Sequence, residues 1–334
     1  MINASAFHHQ IQDNEADYAA LASWVYRLNE LLKQILDDLE DGPDEEEFDR
    51  CSFEQSLAED LQCLLASCPV ADPFSLDESS RTINPYLSAF VNSLEQEVVD
   101  QDVDKLHQLE PLALLQRVRE NLDCCTFYKG LSSLKRNEQS TSKSLFQYIL
   151  DLKAAYSKLM IVRLDLYTPS YLEAVSHWEQ LKKYVADRYA GAYVGFAVKF
   201  EYGQQRGVHM HTLLFFNGSL VRQDVTIAKA IGEHWKNSVT AGKGTYSNCN
   251  APEHLKNMRY PAVGTFHQFD ECTLKGLAHI ANYLTEQDLA VRFAVPGLAR
   301  TLRKGGLSRD KRVRIERRAK RHARAQGASS THIC

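Results

Sequence analysis

Residues 200–216 read FEYGQQRGVHMHTLLFF, and the prediction of the fold starts from this stretch. Two segments rich in apolar residues flank the short polar turn GQQR at 203–206, which is typical of a β-hairpin. Side chains on a strand alternate between the two faces of a sheet. One face of the second strand would carry Met210, Thr212, Leu214 and Phe216, and the opposite face would carry His209 and His211.

The strand before the turn, at 193–202, has the same alternation. Its apolar positions are Val194, Phe196, Val198 and Phe200, and its polar positions are Lys199 and Glu201. A register that pairs Glu201 with His209 also pairs Phe200 with Met210, so that apolar side chains meet on one face. The register that builds a core therefore places Glu201 beside the two histidines.

The surrounding sequence predicts an α+β fold. Strands are predicted at 158–167 and 262–269, helices at 169–189, 222–237 and 273–287, and a polar loop at 240–257. The order β-α-β-β-α-β-α predicts an antiparallel sheet of the split β-α-β type, with helices on one face and the other face open for a ligand. In the strand at 158–167 the apolar alternation would leave Asp165 on the open face.

The first 150 residues have a different pattern, which predicts an all-helical domain. Helical periodicity covers 18–36, 53–66, 84–99, 111–122 and 143–156, and the charged run at 37–49 predicts a loop. Residues 1–150 contain no recognisable chemical motif. Scaffolding, docking of a partner and regulation all remain open as the role of this part.

The charge is divided along the chain. Residues 1–100 hold 22 acidic and 4 basic side chains, whereas residues 151–334 hold 15 acidic and 28 basic ones. Residues 301–326 alone hold 11 Lys and Arg, and we treat 301–334 as a basic C-terminal tail after a domain at 151–300. A basic surface attracts phosphates, so we expect the C-terminal part to bind nucleic acid and the acidic part to shield it or to dock a partner.

Two imidazoles and one carboxylate form a metal-binding set. Mn²⁺ or Mg²⁺ suits His209, His211 and Glu201 if water or substrate completes the coordination, and Zn²⁺ is a less favoured alternative. The alternative without a metal is two histidines on a polar sheet face. A zinc-stabilised structural protein is a further alternative, but none of the eight cysteines forms a Cys-x-x-Cys pair, so free thiols are expected.

A tyrosine on the last predicted helix is the candidate nucleophile. Leu274, Leu277, Ala278, Ala281 and Leu284 form the apolar stripe of this helix. Tyr283 lies away from that stripe, on the side of His279. A phenolate that attacks a phosphodiester would form a covalent phosphotyrosine and divide strand cleavage and rejoining into two steps. Most of the 15 tyrosines are expected to be structural.

Three segments of the second half of the chain resemble a known protein family. The segments KLMIVRLDLY (158–167), FEYGQQRGVHMHTLLFF (200–216) and HIANYLTEQD (279–288) look like the YagK/YfjJ C-terminal domain, also described as the inovirus gene II-type replication protein family. These are His-hydrophobic-His (HUH) endonucleases of prophages and mobile elements. The resemblance covers about residues 155–308, including RKGGLSR at 303–309, and leaves out the helical front.

The resemblance implies a nickase that initiates rolling-circle replication. It implies metal ligands at His209 and His211, a third ligand best matched by Glu201, and a nucleophile at Tyr283 that becomes linked to the 5′-phosphate. The substrate would be single-stranded or supercoiled DNA of a phage, prophage or satellite element, or the DNA of a competitor. A replication protein of the host or phage would be the partner of the N-terminal domain.

The sequence departs from this family in one respect. Many such initiators carry a lysine three or four residues after the tyrosine, where this chain has Glu286 and Gln287. Lys275 is a candidate replacement, with Asp165 and His279 as further supporting residues. The departure favours the alternative of a degenerate domain that binds an origin or hairpin without cutting.

DNA contacts are expected from six basic residues. They are Arg163, Lys199, Arg206, Arg303, Lys304 and Arg309.

No apolar run approaches the ~18–20 residues that a membrane helix requires. The start MINASAFHHQ lacks the features of a secretory signal. We therefore expect a cytoplasmic protein of a bacterial host cell that does not bind membranes.

Overall fold

The computed structural model describes residues 15–41, 47–69, 84–95, 109–256, 258–268, 270, 273–286, 288–295, 298 and 300–329. Five helices lie in the first half of this range: α1 (Glu15–Asp41), α2 (Glu47–Ala66), α3 (Pro85–Glu95), α4 (Pro111–Leu122) and α5 (Cys125–Ala155). The helical prediction is thus confirmed where it can be compared, while residues 96–99 of the predicted third helix lie outside the described residues. The predicted loop at 37–49 overlaps the ends of both α1 and α2.

Helix α5 is much longer than the predicted segment 143–156. It begins at Cys125, and the Cys124 sulfur caps it by accepting a hydrogen bond from the Phe127 amide at 3.4 Å. Much of its first half is exposed and polar, so it has no continuous apolar stripe that periodicity could detect.

The second half alternates strands and helices. The strands are β1 (Lys158–Tyr167), β2 (Tyr193–Gly203), β3 (Gly207–Asn217), β4 (Thr245–Asn248), β5 (Gly264–His267) and β6 (Leu302–Lys304). The helices are α6 (Ala174–Arg188), α7 (Asp224–His234, continued by a π-helical turn at Trp235–Val239), α8 (Pro252–Leu255), α9 (Leu274–Tyr283), α10 (Val291–Ala294) and α11 (Arg309–Ser329). The loop prediction for 240–257 missed β4 and α8, and residues 269, 271, 272 and 287 lie outside the described range.

The six strands form one antiparallel sheet, which confirms the α+β prediction. Its order is β4-β1-β3-β2-β6, and β5 pairs with the other end of β1. The hairpin register is the predicted one, with Glu201 opposite His209 and Phe200 opposite Met210. A bulge between Tyr193 and Gly195 changes the alternation at the start of β2, so Val194 lies on the other face from Phe196, contrary to the prediction.

Helices cover both faces of the sheet, so the prediction of helices on one face is wrong. Met160 and Val162 of β1 pack on the face covered by α6 and α7. Leu159 and Ile161 of the same strand pack on the opposite face, against α5 and α9. The first half of β1, LMIV at 159–162, is apolar on both faces, which is typical of a strand covered on both sides, so the sequence contained a signal for the second layer.

The N-terminal helices share a core with the sheet. Their buried residues and those of the α6–α7 face form one continuous cluster, which includes Leu28 and Phe200. Helix α1 packs against α10, and the rings of Tyr26 and Tyr202 meet edge to face with centroids 6.3 Å apart. The expected boundary between 150 and 151 lies inside α5.

The C-terminal segment is also part of the fold. Residues 302–304 pair with β2, and α11 packs against α5. The Lys311 ammonium donates a hydrogen bond to the Val194 carbonyl. The expected tail therefore begins with a strand of the sheet. The six cysteines within the described ranges are free, and no described helix has the length and apolar character needed to cross a membrane.

Candidate metal and tyrosine site

The candidate site forms on the half of the α5–α9 face that those helices leave uncovered. The register places Asp165, His211 and Lys199 in one row across β1, β3 and β2. The next row holds Tyr167 and His209, followed by Glu201 on β2. Since residues two apart on a strand share a face, all six side chains project to the same side.

Glu201, His209 and His211 lie close enough together to hold a metal ion. One ligand atom from each residue lies within 4.8 Å of the others. The Glu201 Oε2 atom is 2.9 Å from His211 Nε2 and 3.3 Å from His209 Nε2. Two imidazole nitrogens and a carboxylate oxygen are a donor set that divalent metals accept in proteins.

Both imidazoles are oriented through their other nitrogen. His211 Nδ1 is 2.7 Å from Asp165 Oδ1, and His209 Nδ1 is 3.2 Å from the Gly207 carbonyl oxygen. When each Nδ1 carries the proton and donates it, each Nε2 offers a lone pair toward Glu201. Such outer partners fix the tautomer and increase ligand basicity in metal sites. The Tyr167 ring also stacks on His209, with centroids 5.8 Å apart.

The site couples buried charges of opposite sign. Burial alone would raise the pKa of Glu201, but hydrogen bonds with the two histidines and the charge of Lys199 bring that pKa far below its usual range. Burial would lower the pKa of His211, but Asp165 and Glu201 raise it above the ordinary 6.5. Without a metal, this arrangement favours a protonated His211 between two carboxylates.

Tyr283, the last residue of α9, completes the cluster. Its hydroxyl oxygen lies 3.1 Å from His211 Nε2, and the Arg163 guanidinium carbon lies 5.1 Å from the centre of its ring. Burial and the charge of Glu201 raise the pKa of Tyr283 to about 12, although the charge of Arg163 acts in the opposite direction. The phenol therefore needs additional positive charge nearby to ionise near neutral pH.

Lys199 differs from its predicted role as a DNA contact. Its side chain is only 3% exposed, its ammonium lies 2.6 Å from Glu201 Oε1, and it donates to the backbone carbonyl of Glu286. A buried lysine with these partners is not a surface contact for DNA. It instead ties Glu201 to the chain that follows Tyr283.

The other predicted supporting residues lie at different depths. Asp165 bridges His211 and Arg163, whose Nε lies 3.4 Å from Asp165 Oδ1. His279 is exposed one turn before Tyr283 and lines the same cavity of about 650 Å³ as Tyr283 and Arg163. Lys275 is exposed a further turn away and does not line this cavity.

The remaining basic candidates are spread over the surface. Arg206 lies exposed on the β2–β3 turn, and Arg309 lies exposed at the start of α11. Arg303 extends to the opposite face of the sheet, where it lies over Phe200 and 3.8 Å from Glu179, so it is not placed beside the candidate site. Lys304, one residue later on β6, lies on the site face over the Tyr148 ring.

Sequence reasoning missed several groups around the site. The Gly207 carbonyl and the Tyr167 ring both contact His209, and Arg259 lines the cavity beside Tyr283. The strand alternation contained the signal for Tyr167, because it lies two residues after Asp165. Arg259 lies between the predicted loop at 240–257 and the predicted strand at 262–269, where periodicity carries no information.

Comparisons with known proteins add no identification. No protein-family model, no curated protein and no solved structure matches this chain.

Proposed function

We propose that the protein is a metal-dependent DNA-strand nicking enzyme that uses Tyr283 as its nucleophile. One observation carries this proposal: the Tyr283 hydroxyl lies 3.1 Å from His211 Nε2, at the edge of a three-residue cluster that could hold a metal. A tyrosine beside a divalent metal ion is an arrangement that supports phosphodiester cleavage through a covalent intermediate. The resemblance of residues 155–308 to HUH replication proteins supports the same reaction.

The proposed reaction exchanges one phosphate ester for another. A divalent ion held by Glu201, His209 and His211 would polarise a phosphoryl oxygen and stabilise the charge of the transition state. The Tyr283 oxygen bonds to phosphorus, and the bond from phosphorus to the 3′ oxygen breaks. The phenol proton passes by way of water to the departing oxygen, which gives a 3′-hydroxyl and a 5′-phosphotyrosine.

Arg163 and Asp165 would position the reacting groups. The Arg163 guanidinium over the ring favours the phenolate, as its lowering effect on the Tyr283 pKa indicates. Asp165 holds both Arg163 and His211, so one carboxylate connects the nucleophile to the ligand set. Mn²⁺ or Mg²⁺ is the proposed metal because open coordination positions for water and phosphate suit these ions, with Zn²⁺ less favoured.

The biological role that we propose is initiation of rolling-circle replication of a phage, prophage or satellite element, or nicking of a competitor's DNA. The second candidate is a DNA-binding regulator that does not cut. It is favoured by Glu286, whose side chain lies exposed three residues after Tyr283, where many initiators of the family that the sequence resembles carry a lysine that can neutralise phosphate. Cleavage of the correct DNA separates the two candidates.

The test is cleavage of single-stranded and supercoiled DNA that includes the element's own origin, in the presence of Mn²⁺. The wild type should produce nicks and a covalent protein–DNA adduct. Tyr283→Phe should remove both products, as should His209→Ala/His211→Ala, whereas the exposed Tyr128→Phe on α5 should leave them unchanged. Nicking retained in Tyr283→Phe would refute the assigned nucleophile, and Tyr260→Phe would be tested next. Origin binding without cleavage by the wild type would favour the regulator.

A further inference from the structure

A second cavity, of about 940 Å³, lies outside the metal and tyrosine cluster. Helix α5 forms one wall, and residues 284–286, 292 and 300–306 supply the other. We call this cavity the α5 groove. Leu284, Thr285 and Glu286 line it directly after Tyr283, so the groove begins where the candidate site ends.

The α5 wall presents polar side chains. Ser133, Asn137, Ser140, Thr141 and Ser144 line the groove. Their spacing of three and four residues places them on one side of the helix. Hydroxyl and amide groups that face an open cavity supply hydrogen-bond donors without adding charge, which suits contacts with phosphate oxygens and sugars.

The opposite wall is basic. Arg292, Arg300, Arg303 and Lys304 line it, together with Gly305 and Gly306, although the Arg303 guanidinium extends over Phe200 on the opposite face of the sheet. Arg300 and Lys304 are exposed, and the Lys304 ammonium lies 5.0 Å from the centre of the Tyr148 ring. Glu286 is the only acid among the described residues that line the groove, and it lies at the end next to Tyr283. Positive charge therefore dominates the part of the groove farther from the candidate site.

Arg292 distinguishes this groove from an ordinary basic surface. Its side chain is partly buried, and burial lowers its pKa. Among the described residues, no charged group or hydrogen-bond partner contributes to the pKa of the Arg292 guanidinium, and burial is the sole cause of its shift. A partly desolvated guanidinium without a counter-charge is unfavourable, and an anionic ligand in the groove would relieve that cost.

We infer that the α5 groove binds the sugar–phosphate backbone of single-stranded DNA. Arg292, Arg300 and Lys304 would contact phosphates while the α5 hydroxyls contact phosphate oxygens and sugars, as in grooves that track a single strand without reading its sequence. The volume matches a ligand of small-molecule size, so it accepts a few nucleotides of one strand. This inference rests on the proposed function, since it takes DNA as the substrate, and it adds a binding surface formed by the helical front.

Binding can be measured without cleavage. Fluorescence anisotropy with a labelled single-stranded oligonucleotide, in EDTA and with Tyr283→Phe as the parent protein, separates the groove from the metal chemistry. Arg292→Gln, Arg300→Gln and Lys304→Gln should each lower affinity about fivefold at 0.1 M salt and reduce the slope of log affinity against log salt by about 0.7. Lys229→Gln, an exposed lysine on α7 at the other face of the sheet, is the matched control and should change neither value.

A second set of variants tests the hydroxyl wall. Ser140→Ala/Ser144→Ala should weaken binding about threefold with no change in the salt slope, because no charge is removed. Thermal unfolding of each variant checks that it folds, and Arg292→Lys should restore most of the affinity lost in Arg292→Gln.

Three outcomes would overturn the inference. The first is an affinity for single-stranded DNA that is unchanged in all three charge variants. The second is that these variants lose as much affinity for duplex DNA of the same length as for the single strand. The third is displacement of the oligonucleotide by millimolar inorganic phosphate, which would indicate a site for the free anion. If the groove variants bind DNA more weakly but the wild type never cuts DNA, the groove proposal stands and the nickase proposal is rejected. Intact nicking with unchanged binding would keep the nickase and reject the groove.

Discussion

Asp165 shows how one side chain can organise a whole site. It accepts from His211 and lies beside Arg163, so it affects a metal ligand and, through Arg163, the tyrosine ring. Burial would raise the pKa of Asp165, but the hydrogen bond with His211 and the charge of Arg163 lower it, so the carboxylate stays ionised. The sequence predicted only that Asp165 lies on the open face of the sheet. In the structure this residue connects a metal-ligand candidate to the arginine beside Tyr283.

We predict that Asp165→Asn weakens Mn²⁺ binding about 10- to 100-fold, the usual effect of losing an outer partner of a ligating histidine. The amide cannot match the carboxylate as an acceptor for His211 Nδ1. Isothermal titration calorimetry with Mn²⁺ measures the change, and Asp187→Asn, at an exposed position on α6, is the control. Equal affinity in the two variants would show that Asp165 does not support a metal ligand.

Metal binding should also depend on pH. Asp165 and Glu201 raise the pKa of His211 above 6.5 in the metal-free protein, and the metal must displace that proton from the ligand set. The apparent Mn²⁺ affinity should therefore rise with pH, by about tenfold per unit while His211 is protonated, and level off above its pKa. Calorimetry in buffers of different ionisation enthalpy should detect about one proton released. Affinity independent of pH from 5 to 8 would contradict this coupling.

At the scale of elements, the β1–β3–β2 core of the sheet was predictable and its edges were not. The long strands alternate clearly, so the pairing of Glu201 with His209 followed from matching apolar faces. Strands β4 and β6 contain four and three residues, rich in polar side chains, and pairing with a neighbour defines them. Their formation depends on tertiary contacts that no local pattern records.

The β2–β3 turn gives a prediction at this scale. Gly207 has φ +61°, and a Cβ atom there would lie 2.5 Å from the Tyr171 hydroxyl, so Gly207→Ala should destabilise the protein by about 1–2 kcal/mol. Because the Gly207 carbonyl orients His209, metal affinity should fall as well. Gly306→Ala is the control for stability, since a Cβ atom there meets nothing within 4 Å. Urea unfolding that does not distinguish the two variants would argue against strain at this turn.

For the whole molecule, the division of charge has a structural counterpart. A cavity of about 450 Å³ is lined by five acidic and three basic side chains, with Glu30, Lys33, Lys135 and Glu138 from the helical front and Lys199, Glu201, Glu286 and Asp288 from the rest of the chain. The acidic helical front therefore reaches the edge of the candidate site. Sequence counts predicted a contrast between the two halves, but only the packing of α1 against α10 shows where the negative charge lies.

This arrangement determines how shielding of the site by the acidic front can be tested. Deleting the front would expose the core that it shares with the sheet, so loss of folding would obscure any effect of charge. Glu30→Gln/Glu138→Gln removes two negative charges beside the site and keeps the side-chain shapes, and it also frees Lys33, whose ammonium lies 2.7 Å from Glu30 Oε1. We expect affinity for single-stranded DNA to rise about two- to fivefold at 50 mM salt and the gain to disappear near 0.5 M, where screening shortens the range of the field to a few ångströms.

The exposed pair Glu179→Gln/Asp187→Asn on α6 removes the same charge from the opposite face and should raise the affinity less. An equal gain in both pairs would show that net charge alone governs binding, and no gain in either would show that the acidic front does not limit access of DNA to the site.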